Sequence, residues 1–272
     1  MAYETISLEV DDGVAVLTLR RPARLNAMNK QMLGEMLAAC DRVEDDDGVR
    51  ALVLTGEGKA FSAGFDLQDQ AAAPPQGRDE WGPVLRRDFD AVMRFWHLSK
   101  PTVAAVRGPA LAGGCELALA CDITVAAADA RFGEPELKFG AGIVVMLLPW
   151  LVGPKKAKEV LLLGLDDVPA EEALALGLIN RVVPVGEELP IALKIARHMA
   201  VIDPAVIRQT KAAINETMRI MGMDQALEAA LAINVELEGE GSDDKRQFLA
   251  KLREGGLKAA LAWRDARFDP NL

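Results

Sequence analysis

Alternating apolar and polar residues at the start of the chain predict a β-hairpin. The segments TISLEV and GVAVLTL alternate in this way on either side of a turn at residues 11–13. Apolar residues then recur at helical spacing, and Asn29 stands where it can cap a helix that runs to about Asp41. The apolar run VRALVLTG at residues 49–56 predicts a short buried strand.

The middle of the chain predicts further strand and helix pairs, and its end predicts helices. Residues 71–84, rich in Pro and Gly, indicate an exposed, mobile loop, and a helix is expected over residues 85–98. The segment KPTVAAVRGPALAGG predicts a strand and a turn before another helix, and from Gly153 the pattern is largely helical. Strands followed by helices predict an α/β fold. We expect a core at residues 1–200 and a helical C-terminal region at 201–272.

Composition narrows the possible functions. The chain has 272 residues, of which 50% are hydrophobic, enough for one large core. Its net charge of −10 argues against nucleic-acid binding, because such interfaces favour a basic surface. No apolar run reaches the roughly 18–20 residues that span a bilayer. Because no signal-peptide pattern is evident, we expect a cytoplasmic protein without membrane association.

The cysteines and histidines argue against metal and nucleophile chemistry. Cys40, Cys115 and Cys121 lack the spacing of metal ligands and predict reduced thiols. With His97 and His198 as the two histidines of the chain, a histidine-based zinc site or a Ser-His-Asp triad is not expected.

The segment LAGGCELALACD places Glu116 in apolar surroundings, directly after Gly113, Gly114 and Cys115. An ionised carboxylate is costly to bury without partners. Two glycines before a helix allow close backbone approach and leave N–H groups free to bind developing negative charge. The alternative is a tight turn with Glu116 solvated at the helix start.

A second segment, KAFSAGFDL, contains a serine without the signature of a nucleophile. Ser62 fails the G-x-S-x-G pattern because position 60 is alanine. Residues 63–65 can instead form a turn that presents backbone N–H groups at the end of a strand.

A third segment, ARFGEPELKFG, carries two carboxylates on a stiffened loop. Glu134 and Glu136 flank Pro135, which removes a backbone donor and restricts the chain. Glu116 and Glu136 could therefore share a water molecule or a proton as an acid/base pair. Solvated loop glutamates are the alternative.

These three segments, in this order and spacing, resemble the enoyl-CoA hydratase/isomerase (crotonase) superfamily. RPARLNAMN near the start and AEEALALGLINRVVP at 170–184 match as well, and the resemblance covers roughly residues 5–255. It implies a crotonase-like spiral of ββα units. It also implies a helical C-terminal region that mediates trimerisation, so that the protein forms a homotrimer or a homohexamer.

The resemblance also implies a set of site residues. The backbone N–H groups of Phe65 and Gly113 would bind the thioester oxygen, and Glu116 and Glu136 would be the catalytic glutamates. The coenzyme A portion would contact Arg24, Leu25, Ala27, Ala63, Gly64, Phe65, Asp66 and Leu67. No metal or separate cofactor is expected, because the substrate is itself carried as a coenzyme A thioester.

Two lysines and one further glutamate are predicted to have secondary roles. Lys59 and Lys100 are candidate phosphate partners by charge alone. Glu134 is expected to be a supporting or surface residue beside the catalytic pair.

The segment after the second glutamate departs from the family. Its sequence, LKFGAGIVVMLLPWLVG, lacks the usual glycine cluster, which predicts a more apolar wall at residues 143–147 that reshapes the acyl pocket or moves the helix that positions water. A buried core helix is the alternative.

The predicted activity is addition of water across the 2,3 double bond of a 2-enoyl-CoA. The alternatives are double-bond isomerisation, cleavage of a C–C bond by a hydrolase or lyase reaction, and coenzyme A binding without turnover.

Overall fold

A computed structural model describes residues 3–269 of the chain, within which nine strands and ten α-helices form. The first two residues of the predicted core and the last three of the predicted helical region lie outside the described residues. The strands are β1 (Ile6–Asp11), β2 (Val14–Leu19), β3 (Ala51–Gly56), β4 (Thr102–Val106), β5 (Pro109–Leu111), β6 (Ile123–Ala127), β7 (Arg131–Gly133), β8 (Val168–Pro169) and β9 (Arg181–Val183).

The helices lie between the strands and account for most of the described residues after β9. They are α1 (Lys30–Asp45), α2 (Leu67–Ala72), α3 (Gly77–His97), α4 (Gly113–Leu119), α5 (Leu148–Leu163), α6 (Ala170–Leu176), α7 (Glu188–Ala200), α8 (Pro204–Ile220), α9 (Met223–Glu240) and α10 (Asp243–Asp265). The predicted α/β class is confirmed. The boundary at residue 200 stays a prediction.

The main sheet has six strands in the order β1-β2-β3-β4-β6-β9, antiparallel at β1-β2 and parallel elsewhere. Strand β4 is buried along its whole length, as expected for a parallel strand covered on both faces. Because side chains alternate along a strand, Val53 and Val103 pack toward α7, whereas Leu52 and Leu54 pack into the larger core that contains α1 and α3.

A small second sheet, β5-β7-β8, brings the two carboxylate-bearing segments together. Strands β5 and β7 are parallel, with Leu111 opposite Gly133. The carboxyl ends of parallel neighbours lie at the same edge of a sheet. Consequently α4, which follows β5 and carries Glu116, lies beside the 3₁₀ turn Pro135–Phe139 that follows β7.

Two local predictions near the N-terminus are confirmed. Strands β1 and β2 form the predicted hairpin, with Asp11 opposite Val14 at its turn. Asn29 caps α1, where its Oδ1 accepts a hydrogen bond from the Met32 N–H at 3.0 Å. The helix continues to Asp45, beyond the predicted end at about residue 41.

The predicted exposed loop at 71–84 is wrong over most of its length, because α2 ends at Ala72 and α3 already begins at Gly77, which leaves only residues 73–76 outside the two helices. Proline in a helix removes one backbone hydrogen bond, and Pro83 lies within this one. The helix persists because Trp81, Leu85 and Phe89, at helical spacing, are buried in the core. Burial of large apolar side chains outweighs one missing bond.

The structure differs from two other expectations for the chain after residue 140. Residues 141–147 form no helix, so the alternative of a core helix there is wrong, although Val145 and Leu147 are buried. Strands β8 and β9 lie within the stretch expected to be helical and are too short to produce a pattern. In the described part of the chain, no helix combines the length and apolarity needed to cross a bilayer.

Candidate active site

A cavity of about 470 Å³ opens between the carboxyl ends of the strands and the C-terminal helices. Many of the predicted site residues line it: Arg24, Leu25, Ala27, Ala63, Phe65, Asp66, Leu67 and Glu136. Gly64, Gly113 and Glu116 are not part of this lining but pack directly against residues that are. The structure therefore brings all the predicted site residues into one region.

Three glycines allow two backbone segments to touch beside the cavity. A Cβ added to Gly64, whose φ is +88°, would lie 2.7 Å from the Ala112 Cβ. One added to Gly113 would lie 2.5 Å from the Phe65 ring, and one added to Gly114 would overlap the Ser62 carbonyl. Distances this short exclude any side chain at these positions, so this junction depends on glycine.

The junction orients two backbone N–H groups that have no acceptor. Met28 N–H donates to the Gly64 carbonyl at 2.8 Å and Asp66 N–H to the Met28 carbonyl at 3.0 Å, so the Phe65 N–H between them points the other way. Within residues 3–269, neither that N–H nor the N–H of Gly113 meets an acceptor. N–H groups without a protein acceptor beside a cavity are free to donate to a ligand oxygen.

Ser62 has a structural place rather than a nucleophilic one. Its side chain is fully buried, and its Oγ donates to the Asn26 carbonyl at 2.9 Å and accepts from the Gly64 N–H at 3.2 Å. Asn26, a residue that sequence analysis missed, is also fully buried and donates to the Ala60 carbonyl at 2.8 Å. Together they hold the loop before α1 against the junction.

Asp66 and Arg24, both predicted to contact coenzyme A, have protein partners at the cavity rim. The Asp66 carboxylate caps α2 by accepting from the Gln68 N–H at 3.0 Å, and it pairs with Arg21 at 2.8 Å. Arg24 donates to the Gln68 side chain. The rim is thus a hydrogen-bonded network in which the Arg24 guanidinium is exposed.

Three glutamates form a buried cluster beside the junction. One carboxylate oxygen from each of Glu116, Glu134 and Glu136 lies within 4.8 Å of the others, and the residues are between 0% and 6% exposed. The Val145 N–H donates to Glu116 Oε1 at 2.7 Å. Among the described residues, Glu116 Oε2, Glu136 Oε2 and both oxygens of Glu134 have no hydrogen-bond partner.

Burial raises the pKa of every member of this cluster. For Glu136 the pKa rises to about 8, and for Glu116 the nearby Glu136 carboxylate adds to the effect of burial while the Val145 N–H opposes it. Several carboxyl groups this close cannot all ionise. The raised pKa values favour the protonated carboxyl forms in the cluster, and ionisation of one member opposes ionisation of its neighbours.

Of the two expectations for Glu134, the surface position is wrong, and the supporting role stays a prediction. Glu134 is completely buried, and its carboxyl group lies against Glu136 and Cys115. Glu134 lies between the end of β7 at Gly133 and the start of the 3₁₀ turn at Pro135, and this position brings it into the cluster.

Within the described residues, the carboxylate oxygens of Glu116, Glu134 and Glu136 are close enough to one another to bind a single metal ion. Their raised pKa values favour the protonated forms, which bind cations weakly. The prediction that no metal is bound is not tested by this arrangement.

The C-terminal helices contribute residues that sequence analysis missed. The Asn234 side chain donates to the Ile143 carbonyl at 3.1 Å, and Glu238 accepts from the Gly142 N–H at 3.2 Å. Ser242 donates to the Gly140 carbonyl at 2.9 Å. These bonds brace residues 140–145, which we call the wall segment. No local signal could identify partners about 95 residues apart in the chain.

The two candidate phosphate-binding lysines do not line the cavity. Lys100 donates to the Val43 and Asp46 carbonyls at 2.6 Å and lines a different cleft, and Lys59 is exposed on the surface. Arg24, Lys245 and Arg264 are the cationic residues of the lining.

Comparisons with known proteins identify similar chains. The family model described as enoyl-CoA hydratase/isomerase matches residues 9–250. A solved structure titled as an enoyl-CoA hydratase/isomerase from Xanthobacter autotrophicus Py2 is 58% identical, covers 98% of this chain and 100% of its own, and superposes with a TM-score of 0.97.

Two curated relatives extend the match. A protein named crotonyl-CoA hydratase, from Syntrophomonas wolfei, is 38% identical over 98% of this chain and 99% of its own. A putative enoyl-CoA hydratase from Thermus thermophilus is 41% identical over 90% of this chain and 98% of its own. The predicted fold is confirmed by these matches, while the trimerisation role of the C-terminal region stays a prediction.

Proposed function

The chain belongs to the enoyl-CoA hydratase/isomerase family, and from this we propose that it hydrates the 2,3 double bond of a 2-enoyl-CoA thioester. The observation that carries the proposal is the pairing of two unsatisfied backbone N–H groups with buried glutamates at one cavity. Relatives named as hydratases over nearly their whole length favour hydration over isomerisation or C–C bond cleavage.

In the proposed mechanism, the thioester oxygen accepts hydrogen bonds from the Phe65 and Gly113 N–H groups. These donors are free of protein acceptors and held by the glycine junction, so they need no reorganisation as negative charge develops on the oxygen. Loss of one such donor typically costs about 2.7–4 kcal/mol of transition-state stabilisation. Only backbone atoms are involved, so the phenyl ring at position 65 is compatible with the role.

The two glutamates, Glu116 and Glu136, would complete the addition. One carboxylate takes a proton from water as the water oxygen bonds to C3, and the π electrons move to form the enolate. The other carboxyl gives its proton to C2, and the product is the 3-hydroxyacyl thioester. The raised pKa values favour a carboxyl that can give its proton, and the closeness of the two groups means that when one ionises the other is held protonated.

The wall segment supports Glu116 in this role. Val145 N–H holds one carboxylate oxygen of Glu116 and leaves the other without a protein partner, so it can face the reacting water. The apolar residues Ile143 and Val144 beside it reduce water access and keep the local dielectric low.

We place coenzyme A at the cavity rim and the contacts between subunits on the C-terminal helices. The rim residues Arg24, Leu25, Ala27 and 63–67 would contact coenzyme A, and no other cofactor is needed. Exposed apolar side chains on the C-terminal helices, such as Ile214 and Ile220, would be covered in a homotrimer or homohexamer. We expect the protein in the cytoplasm, without nucleic-acid or membrane partners.

The test follows the loss of the conjugated-thioester absorbance of crotonyl-CoA. The wild-type protein should hydrate it, and Glu116→Gln and Glu136→Gln should each lower kcat by about 10²-fold or more, the usual contribution of a general acid or base. Glutamine keeps the size of the side chain but cannot carry the proton. Wild-type turnover in both variants would exclude the two-carboxylate mechanism, and coenzyme A binding without turnover would support the binding-protein alternative.

A further inference from the structure

A buried ion pair lies in the lining of the cavity, on the wall side. Glu238 at the end of α9 pairs with Lys245 in the first turn of α10, and their side chains are only 3% and 10% exposed. Both residues line the cavity together with Trp81 and Leu85. The roles proposed for the glutamate cluster and the backbone N–H groups do not use this pair.

The wall segment links the pair to the reacting centre. Glu238 binds the Gly142 N–H, and Val145 N–H, three residues further on, binds Glu116. Three residues of extended chain span at most about 10 Å. The backbone points that contact Glu238 and Glu116 therefore lie within about 10 Å of each other, a separation that a short acyl chain can span.

Lys245 has donors left for a ligand. Its Nζ lies 4.2 Å from the centre of the Trp81 ring and donates to Glu238, the one hydrogen-bond acceptor that the described residues provide. A lysine ammonium carries three N–H donors. Glu238, in contrast, has a partner for each of its oxygens.

A purely structural role accounts poorly for this pair. Ion pairs removed from water are frequently no more stabilising than apolar side chains of the same volume. The surrounding lining is apolar, with Trp81, Leu85 and Val144, and would suit an unsubstituted hydrocarbon tail better without charges.

We propose that Lys245 recognises an uncharged oxygen, a hydroxyl or keto group, on the acyl chain beyond the reacting double bond. The proposal rests on the proposed hydratase function and names its substrate class. An anionic terminus is disfavoured, because Glu238 already balances the charge of Lys245. The substrate class is thus oxygenated 2-enoyl-CoA thioesters rather than simple fatty acyl or dicarboxylic ones.

The test measures binding and turnover separately. Calorimetry gives Kd for saturated acyl-CoAs with a methyl, hydroxymethyl or carboxylate terminus, at four, six and eight acyl carbons. At one of these lengths the hydroxylated compound should bind about tenfold more tightly than its methyl counterpart, the size expected of a hydrogen bond to a charged donor. Hydration of crotonyl-CoA is followed in parallel, so that failure of the proposed function is seen independently of the binding preference.

Two matched variants assign the preference to Lys245. Glu238→Gln/Lys245→Met and Glu238→Gln/Lys245→Gln both remove the charges together, and the glutamine introduced at position 238 can still accept from the Gly142 N–H. They differ in whether residue 245 can donate. The preference should disappear in the methionine variant and be partly retained in the glutamine variant, with equal thermal stability showing that both fold.

Three results would overturn the proposal. These are equal affinity of the wild-type protein for hydroxylated and methyl-terminated chains at every length, tighter binding of the carboxylate, or identical preferences in the two variants. The last result would show that the pair only joins α9 to α10.

Discussion

Two backbone segments border the candidate site, and they are held in place in different ways. The glycine junction at residues 62–65 and 112–114 depends on residues without side chains, because an added Cβ at Gly64, Gly113 or Gly114 would meet atoms at distances that side chains do not adopt. The wall segment has two such glycines as well, Gly140 and Gly142, but it also depends on hydrogen bonds with Asn234, Glu238 and Ser242, which follow much later in the chain.

The two segments therefore differ in what fixes their backbone positions. A glycine junction is rigid because nothing else fits, and its signal is visible in a short stretch of sequence. The backbone position of the wall is set by the C-terminal helices that brace it, and outside Gly140 and Gly142 the wall carries side chains. The apolar side chains of Ile143, Val144 and Val145 are thus buried on a backbone that distant residues hold.

The largest effect is expected from Gly64→Ala, which breaks the junction. The φ of +88° is unfavourable for alanine, and the new Cβ would lie 2.7 Å from Ala112 Cβ. Displacement of the Phe65 N–H should lower kcat for 2-enoyl-CoA hydration by about 10²–10³-fold, the loss of one oxyanion donor. Steady-state kinetics measure it.

The matched control is Gly34→Ala in α1, where the structure has nothing within 4 Å of the added Cβ. This change should leave kcat unaltered and stabilise the fold by about 0.5–1 kcal/mol. Equal kinetics for the two variants would show that the junction does not position the donors.

The next largest effect is expected from Asn234→Leu, which breaks the brace on the wall. The Ile143 carbonyl would lose its donor, at a cost of about 1–3 kcal/mol for an unsatisfied buried group. Because Val145 N–H orients Glu116, we expect kcat to fall about tenfold with little change in KM.

Asn215→Leu provides the comparison for this variant. The Asn215 side chain also donates to a backbone carbonyl, that of Trp96, at 3.1 Å, but it does not contact the wall. It should lower the melting temperature to a similar extent and leave kcat unchanged. A fall in kcat of the same size in both variants would mean that the wall has no specific role.

The glutamate cluster between the two segments should make stability depend on pH. The pKa of Glu136 rises from 4.5 to about 8 on folding, so the folded protein binds the proton more tightly than the unfolded chain does. The contribution of Glu136 to the free energy of unfolding should therefore be largest below pH ~4.5 and decrease as the pH rises to about 8. Glu116, Glu134 and Asp88 shift in the same direction.

Thermal melting between about pH 5 and pH 9 in roughly one-unit steps measures this dependence. Glu136→Gln should flatten the decrease, since glutamine does not titrate. A steeper or unchanged slope in the variant would show that Glu136 is not the titrating group.

The smallest effect is expected from Lys59→Gln. Lys59 is exposed and outside the cavity lining, so KM for an acyl-CoA should change less than about twofold. Arg24→Gln, at the rim, should raise KM several-fold if the rim binds the phosphates. The reverse order would move the coenzyme A contact away from the rim.

Much of the fold and site could be predicted from sequence, because the signals are local. Alternation and the turn at residues 11–13 specify the first hairpin, and Asn29 specifies the start of α1. The glycine junction and the Glu-Pro-Glu turn are short segments whose backbone limits are set by Gly and Pro themselves. Residue type and spacing predict these backbone features, whereas the roles of Glu116 and Glu136 were predicted through the family resemblance.

Only the tertiary structure decided the rest, because it depends on contacts between distant segments. Burial of Trp81 and Leu85 makes α3 a helix across residues that otherwise indicate a loop. The β5–β7 pairing turns Glu134 inward, and the C-terminal helices carry Lys245 to the cavity. Such contacts gain their free energy from burial and hydrogen bonds between parts of the chain that no local pattern connects.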